Sequence, residues 1–420
     1  MQHDRTDAEI ARAMTEPAAD NCLVPGLLSV DEAVARLTED VRPVTESETV
    51  PLLEALGRVL ASDVTSGIDV PGHDNSAMDG YAVSAGDCSD PDAVLKVTQR
   101  IAAGSNGTPL SSGEAARIFT GAPVPPGADA VVMQERCEAA DDSVTIKTHV
   151  DAGANIRRAG EDIANGDVII AAGKRLREQE LGLLASVGVT EVSVLRRLRV
   201  ACFFTGDELV EPGTPLGAGQ IYNSNRYTLN GFLQHHDCEI HDFGNIADDM
   251  QATREVIQRA AQEADLVITS GGVSVGEEDY VRLALQESGE LEFWRIAMKP
   301  GKPVAFGRVG EAMFLGLPGN PVSVFVTAQI FALPLMRKLA GESDILSKTY
   351  EVIADFSWPA VKRQEYLRAR LEQRDGRSVA VIYPKQGSGV LSSASWADGL
   401  IVVPVNTPID SGSSVDFLPF

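Results

Sequence analysis

Apolar residues in this chain recur at helical spacing, at strand spacing and in short continuous runs, and each texture has its own stretch. Residues 1–26 are polar and acidic and are expected to form a mobile extension. SVDEAVARL then follows a capping box of Ser29 and Glu32, which predicts an amphipathic helix, and LLEALGRVL predicts a second one. Residues 27–64 are therefore expected to be helical. Between 65 and 165 the apolar runs shorten (YAVS, LKVTQRI, ARIFTG, AVVMQE, SVTIKT) and Gly, Pro, Asn and Asp separate them, the pattern of a β-rich unit. Helical spacing returns in REQELGLLASVG and a strand in EVSVL, so 166–197 should rejoin 27–64 as one domain that the β unit interrupts.

From 198 to 345 strands and helices alternate. RVACFFT, EIHDFG, DLVITS, EFWRIAM, PVAFG and AMFLGL predict strands; SNRYTLNGFLQHH, MQATREVIQRAAQEA, DYVRLALQES and NPVSVFVTAQIFALPLMRKLA predict helices. That order implies a mostly parallel sheet covered on both faces, with ligands bound beyond the carboxyl ends of its strands. Residues 346–420 alternate apolar and polar positions again and predict a small β-barrel or sandwich. The fold class is multidomain, α/β plus β.

Composition narrows the function classes. Sixty acids against 36 bases give a net charge of −24, which argues against nucleic-acid or anionic-membrane binding. An anionic small ligand then needs a locally positive or metal-neutralised site. The five cysteines (22, 88, 137, 202, 238) are scattered and never form CxxC, as expected of a protein in a reducing cytosol. No apolar run of 18 residues is evident, so no membrane anchor is expected.

The most informative stretch is LVITSGGVSVGEEDY. A buried strand runs into a turn carrying Gly271, Gly272, Ser274 and Gly276, and the acids Glu277, Glu278 and Asp279 open a helix. Such turns bring backbone N–H groups close to a ligand, and a helix N-terminus favours negative charge. Lys299 and Lys302 follow in KPGKP, and Pro318, Gly319, Asn320 and Pro321 in GLPGNPVS, where Asn320 suits a helix N-cap and Pro321 the first turn. GGVSVG lacks the Lys-Ser/Thr of a P-loop and does not match GxGxxG, so alone it is a weak signal. Carboxylates nevertheless follow three successive strands: Asp207 and Glu208, Asp248 and Asp249, then Glu277 to Asp279. Any one is explained by a helix dipole, but the set points to magnesium beside phosphate. The loops holding Asp79 (HDNSAMDGYAV) and Thr120 (RIFTGAPVPPGADAVV) show no chemistry alone, and no histidine receives a role.

Together, DNSAMDGYAV, TGAPVPPGADAVVMQE, NIRRAGEDI, TGDEL, SGGVSVGEEDY, KPGKP and GLPGNPVS resemble the molybdopterin molybdenumtransferase family, the MoeA-type enzymes that include the gephyrin E domain. The resemblance runs from about residue 27 to the end, in order and spacing. It implies a discontinuous helical domain, an inserted β domain, an α/β molybdopterin-binding (MogA-like) domain and a C-terminal β-barrel. It also implies a cytoplasmic homodimer, with molybdopterin adenylyltransferase and molybdoenzymes as partners. Its cleft would pair the α/β domain of one subunit with the β domain of the other, giving Asp79 and Thr120 a role.

The implied reaction inserts molybdate into adenylylated molybdopterin and releases AMP with magnesium. Glu208, Asp248 and Asp279 match the family's acidic positions and would hold the metal or orient the attacking oxygen. Lys299 and Arg295 would hold molybdate or the pterin phosphate, Pro318 and Pro321 would set the turn, and Asp162 matches a further functional position. His73, Phe204 and Asp398 depart from the family pattern, and the first two are expected to alter pocket shape. An adenylyltransferase shares the α/β domain but carries a GGTG-like loop, and a scaffold role is the other alternative.

Overall fold

The computed structural model describes residues 27–272, 280–288 and 290–420. The expectations for 1–26, Ser274, Gly276, Glu277, Glu278 and Asp279 fall outside those residues. The described chain forms two compact units. One contains the chain up to Arg42, Leu198–Leu339 and Ile345–Phe420; the other contains Pro43–Arg197 and Ala340–Asp344.

In the first unit a six-stranded sheet runs in the order Glu239–Ile246, Arg199–Thr205, Leu266–Ser270, Ala312–Leu317, Pro303–Val309, Glu290–Arg295. Val200 to Phe204 and Leu266 to Ile268 are fully buried, as continuous apolar runs in a covered parallel sheet must be. The first four strands are parallel, and Pro303–Val309 alone is reversed, antiparallel to both Ala312–Leu317 and Glu290–Arg295. The sheet is mostly parallel, as expected, and its reversed strand arises because only Gly310 and Glu311 separate Val309 from its partner Ala312. That link fits a hairpin and is far too short for a parallel crossover. The Ser224–His235 and Met250–Glu263 helices form as read, the second capped by Asp249, whose Oδ1 accepts from the N–H groups of Gln251 and Ala252.

The helical segment Pro321–Leu339 carries a π turn over Ala328–Ala332, just before Pro334. Proline lacks an N–H and its ring crowds the carbonyl four residues back, and a local widening relieves both. Contrary to the sequence reading, this segment is apolar enough to span a bilayer by length and composition, but 78% of it is buried inside the fold. It is a core helix.

Tyr350–Ala354, Arg377–Ile382, Gln364–Arg374, Gly399–Val403 and Ser414–Pro419 close into a five-strand barrel, with Leu367, Ala380, Ile401 and Phe417 in its core. Met298–Lys299 pairs in parallel with the start of Gln364–Arg374, which sets Lys299 opposite Glu365. The Val30–Glu39 helix belongs to this unit; its capping box is present, and Leu28 bridges Ile296.

The second unit contains a six-stranded sheet ordered Ala130–Met133, Gly80–Val83, Glu114–Ile118, Ala93–Ile101, Ser143–Ile146, Cys137–Ala140. The helix expected in LLEALGRVL is absent. Leu52–Glu54 makes one 3-10 turn, Gly57 takes φ 77°, and Val59 and Leu60 bridge Arg175 and Val194. A left-handed glycine ends the turn, and Leu60 is buried as a strand residue while Leu53 is 93% exposed. Among the described residues, Cys88, Cys137, Cys202 and Cys238 form no disulfide.

Gly80 lies in the Gly80–Val83 strand, where an added Cβ would stand 1.9 Å from the Val132 carbonyl oxygen. Gly80→Ala is therefore expected to force the Gly80–Val83 strand and its edge neighbour Ala130–Met133 apart, at a cost of roughly 1–3 kcal/mol or more. Thermal unfolding is the check; an unchanged melting temperature would contradict the packing described.

Candidate functional site

Two pockets open beyond the carboxyl ends of the parallel strands in the first unit, and they differ in charge. The smaller, about 330 Å³, is lined by Glu208, Asp248, Thr205, Asn223, Asn225 and Ser270, with Ile221 and Tyr222 on its wall. Glu239–Ile246 and Arg199–Thr205 are adjacent strands, so the acids that follow them reach one rim. Gly206, at φ 144°, lets the Glu208 carboxylate fold back over the backbone: a Cβ there would lie 2.7 Å from Glu208 Oε2. Asp249 is the helix cap and does not line this pocket. No lysine or arginine lines it among the described residues.

The larger pocket, about 520 Å³, is lined by Lys299, Lys302, Arg363, the KPGKP and PGN backbones, Ser323 and the Gln386–Ser388 loop. No carboxylate is among its described lining residues. Lys299 is held by Glu365, its Nζ 3.1 Å from Oε1, while Trp358 Nε1 donates to Oε2 of the same carboxylate at 3.1 Å. Behind the 386–388 loop, the fully buried Arg368 donates to Ser393 Oγ and the Tyr366 and Gly387 carbonyls; burial lowers its pKa to about 10. Gly271, Gly272 and Gly319 line both pockets. The first two have φ of 96° and 64°, and side chains there would strike the Thr205 carbonyl at 2.7 Å and Val281 Cγ2 at 2.5 Å. Close packing requires those glycines in addition to any ligand.

The second unit carries Asp79 and Thr120. Both are exposed, and Asp79 Oδ1 accepts from the Thr120 N–H and Oγ1, each at 2.8 Å. The Thr120 backbone N–H first, and its hydroxyl second, hold the Asp79 carboxyl below its usual pKa. Thr120→Val removes the hydroxyl bond and keeps the backbone one. A carboxylate less stabilised as the anion takes up its proton at higher pH, so the acidic limb of an activity profile that needs ionised Asp79 should move upward. Titration of Asp79 by NMR beside the pH profile is the check; limbs that coincide would remove Asp79 ionisation from the rate.

Three family descriptions cover most of the chain in sequence order: the MoeA N-terminal region (domain I and II) over 28–188, a probable molybdopterin binding domain over 201–338, and the MoeA C-terminal region (domain IV) over 351–420. The chain belongs to the MoeA family of molybdopterin molybdenumtransferases. The MoeA family consists of enzymes of molybdenum cofactor biosynthesis. A Haemophilus influenzae molybdopterin molybdenumtransferase is 44% identical over 75% of this chain and 78% of its own length. Mycobacterium tuberculosis molybdopterin molybdenumtransferase 2 is 38% identical over 88% and 93%. A molybdopterin biosynthesis moeA protein of Pyrococcus horikoshii has a similar structure, with TM-score 0.79 and 28% identity over 94% of this chain and 100% of that one.

In this MoeA-family enzyme, Glu208 and Asp248 share the acidic pocket, and Lys299, Lys302, Pro318 and Asn320 share the cationic one, while Pro321 lines the acidic side. Asn320 stands at the N-cap without a side-chain cap bond. Arg295 is exposed and is not among the residues lining either pocket; it pairs with Pro303, which lines the cationic one. Asp162 is exposed in the second unit, where its N–H donates to the Val70 carbonyl. Phe204 is fully buried in the sheet, next to Thr205 and in register with Ser270, both of which line the acidic pocket. Sequence reasoning missed Arg363, Gln386, Ser388, Asn225 and Ser323. Only the last carried a local signal, as the closing residue of GLPGNPVS.

Proposed function

We propose that this enzyme inserts molybdate into adenylylated molybdopterin, with magnesium required and AMP released. The observation that carries this is the divided cleft: a carboxylate-lined pocket and a cation-lined pocket sharing the wall of Gly271, Gly272 and Gly319. In a chain of net charge −24, Lys299, Lys302 and Arg363 make a local site for a doubly charged oxyanion or a phosphate. Glu208 and Asp248 are hard oxygen donors in a pocket roomy enough for phosphate, and magnesium commonly binds through one or two carboxylates with phosphate and water completing its shell. Bound there, it would neutralise charge on the phosphate oxygens.

The chain's own groups then have distinct tasks. The lysines, Arg363 and the turn N–H groups hold the oxyanion. Glu208 and Asp248 orient an attacking water, whose oxygen bonds to one phosphorus of the phosphoanhydride as the bond from that phosphorus to the bridging oxygen breaks. AMP leaves, the pterin keeps its phosphate, and the released proton passes to solvent. We assign the enzyme to the cytoplasm as a homodimer, with Asp79 and Thr120 of one subunit completing the cleft of the other. Molybdopterin adenylyltransferase as supplier and molybdoenzymes as acceptors are the partners this reading requires.

The test is AMP release from adenylylated molybdopterin by the purified enzyme. Release is expected only with both molybdate and magnesium. Formation of the adenylylated pterin from ATP and molybdopterin would instead identify an adenylyltransferase.

A further inference from the structure

We propose that Asn225 is a positioning residue, fixing the shared wall so that the acidic and cationic pockets keep the separation a single reaction complex must span. The proposal rests on the insertion reading above. Asn225 lies in the first turn of the Ser224–His235 helix and is 8% exposed. Its Nδ2 donates to Ser270 Oγ at 2.9 Å and to the Gly319 carbonyl at 2.7 Å. Ser270 Oγ in turn donates to the Pro318 carbonyl at 3.1 Å. One amide therefore fastens a helix start, the end of the Leu266–Ser270 strand and the GLPGN turn.

The fastened points are those that both ligands would touch. Ser270 precedes Gly271, and Gly319 lies beside Gly271, where an added Cβ would make an ordinary contact of 3.9 Å with the Gly271 Cα. Asn225 Oδ1 is buried without a hydrogen-bond partner among the described residues. A buried acceptor left unpaired is destabilising, so folding alone gives little reason for an amide here. Its two N–H donors supply the reason: they grip two acceptors on two different turns, which no apolar side chain does.

The experiment uses the full-length enzyme with Asn225→Ala. Turnover should fall by roughly 10²-fold, the scale of a misplacement of about 1 Å. Affinities for molybdate alone and for magnesium–AMP alone should stay within about twofold, because their own ligating side chains are untouched. In the wild type, magnesium–AMP should tighten molybdate binding by about fivefold or more through the shared wall, and this linkage should vanish in the variant. Where Asn225→Ala does not fold, Ser270→Ala removes one of the two gripped acceptors and carries the same comparison. Unchanged turnover beside a lowered melting temperature, or loss of both separate affinities, would overturn the proposal. If the wild type releases no AMP, the insertion reading fails, and the linkage measurement alone decides the role of Asn225: equal linkage in both proteins, or none in the wild type, rejects it.

Discussion

Glu208→Gln and Asp248→Asn are each expected to lower magnesium-dependent AMP release by roughly 10²–10³-fold, the scale seen when one preorganised charge-stabilising group is removed from an active site. Both substitutions keep side-chain shape. Glu208 folds over Gly206 and Asp248 follows the neighbouring strand, so either amide fits the same space while the pocket loses one negative charge. Molybdate affinity, which the proposal assigns to Lys299, Lys302 and Arg363 of the other pocket, should change little. Turnover measured across a magnesium titration, with molybdate affinity measured on the same variants, separates a metal role from a collapsed site. If either variant follows the wild-type magnesium curve, that carboxylate has no part in holding the ion.

Mixing two inactive subunits should restore activity. Asp79→Ala disables the second unit and Glu208→Gln the first, so a cleft built from both subunits is intact once in each mixed dimer. Equal mixing with free exchange makes half the dimers mixed, and the expected recovery is roughly a quarter of wild-type activity. Mixed dimers are isolated with two affinity tags before assay. Tagged mixed dimers as inactive as their parents would defeat the shared cleft, whereas recovery requires Asp79 and Glu208 to act across the interface.

Much of the fold was legible because its signals are local. The buried runs RVACFFT and DLVITS, the capping box of Ser29 and Glu32, and the alternation after 346 depend on residues within one element, and each forms as read. LLEALGRVL misled because its apolar spacing satisfies a helix, while Gly57 and the bridges of Val59 and Leu60 to distant residues favour extended backbone. The one reversed strand of the mostly parallel sheet, Pro303–Val309, was also written in the sequence, as a two-residue link to the next strand.

The site divides in the same way. Sequence by itself determined the family, the glycine turns, the acids after successive strands and the lysines of KPGKP, because each is a short motif whose meaning survives without neighbours. Only the tertiary structure decided how they combine. Strand order set Glu208 and Asp248 in one pocket; pairing of Met298–Lys299 with a barrel strand placed Lys299 against Glu365 and close to Arg363 and Ser388. It also revealed Asn225 as the tie between two turns. The physical reason is distance along the chain: charges and hydrogen bonds act over a few ångströms in space, and residues 225, 270, 319 and 363 meet only after the sheet and barrel have closed.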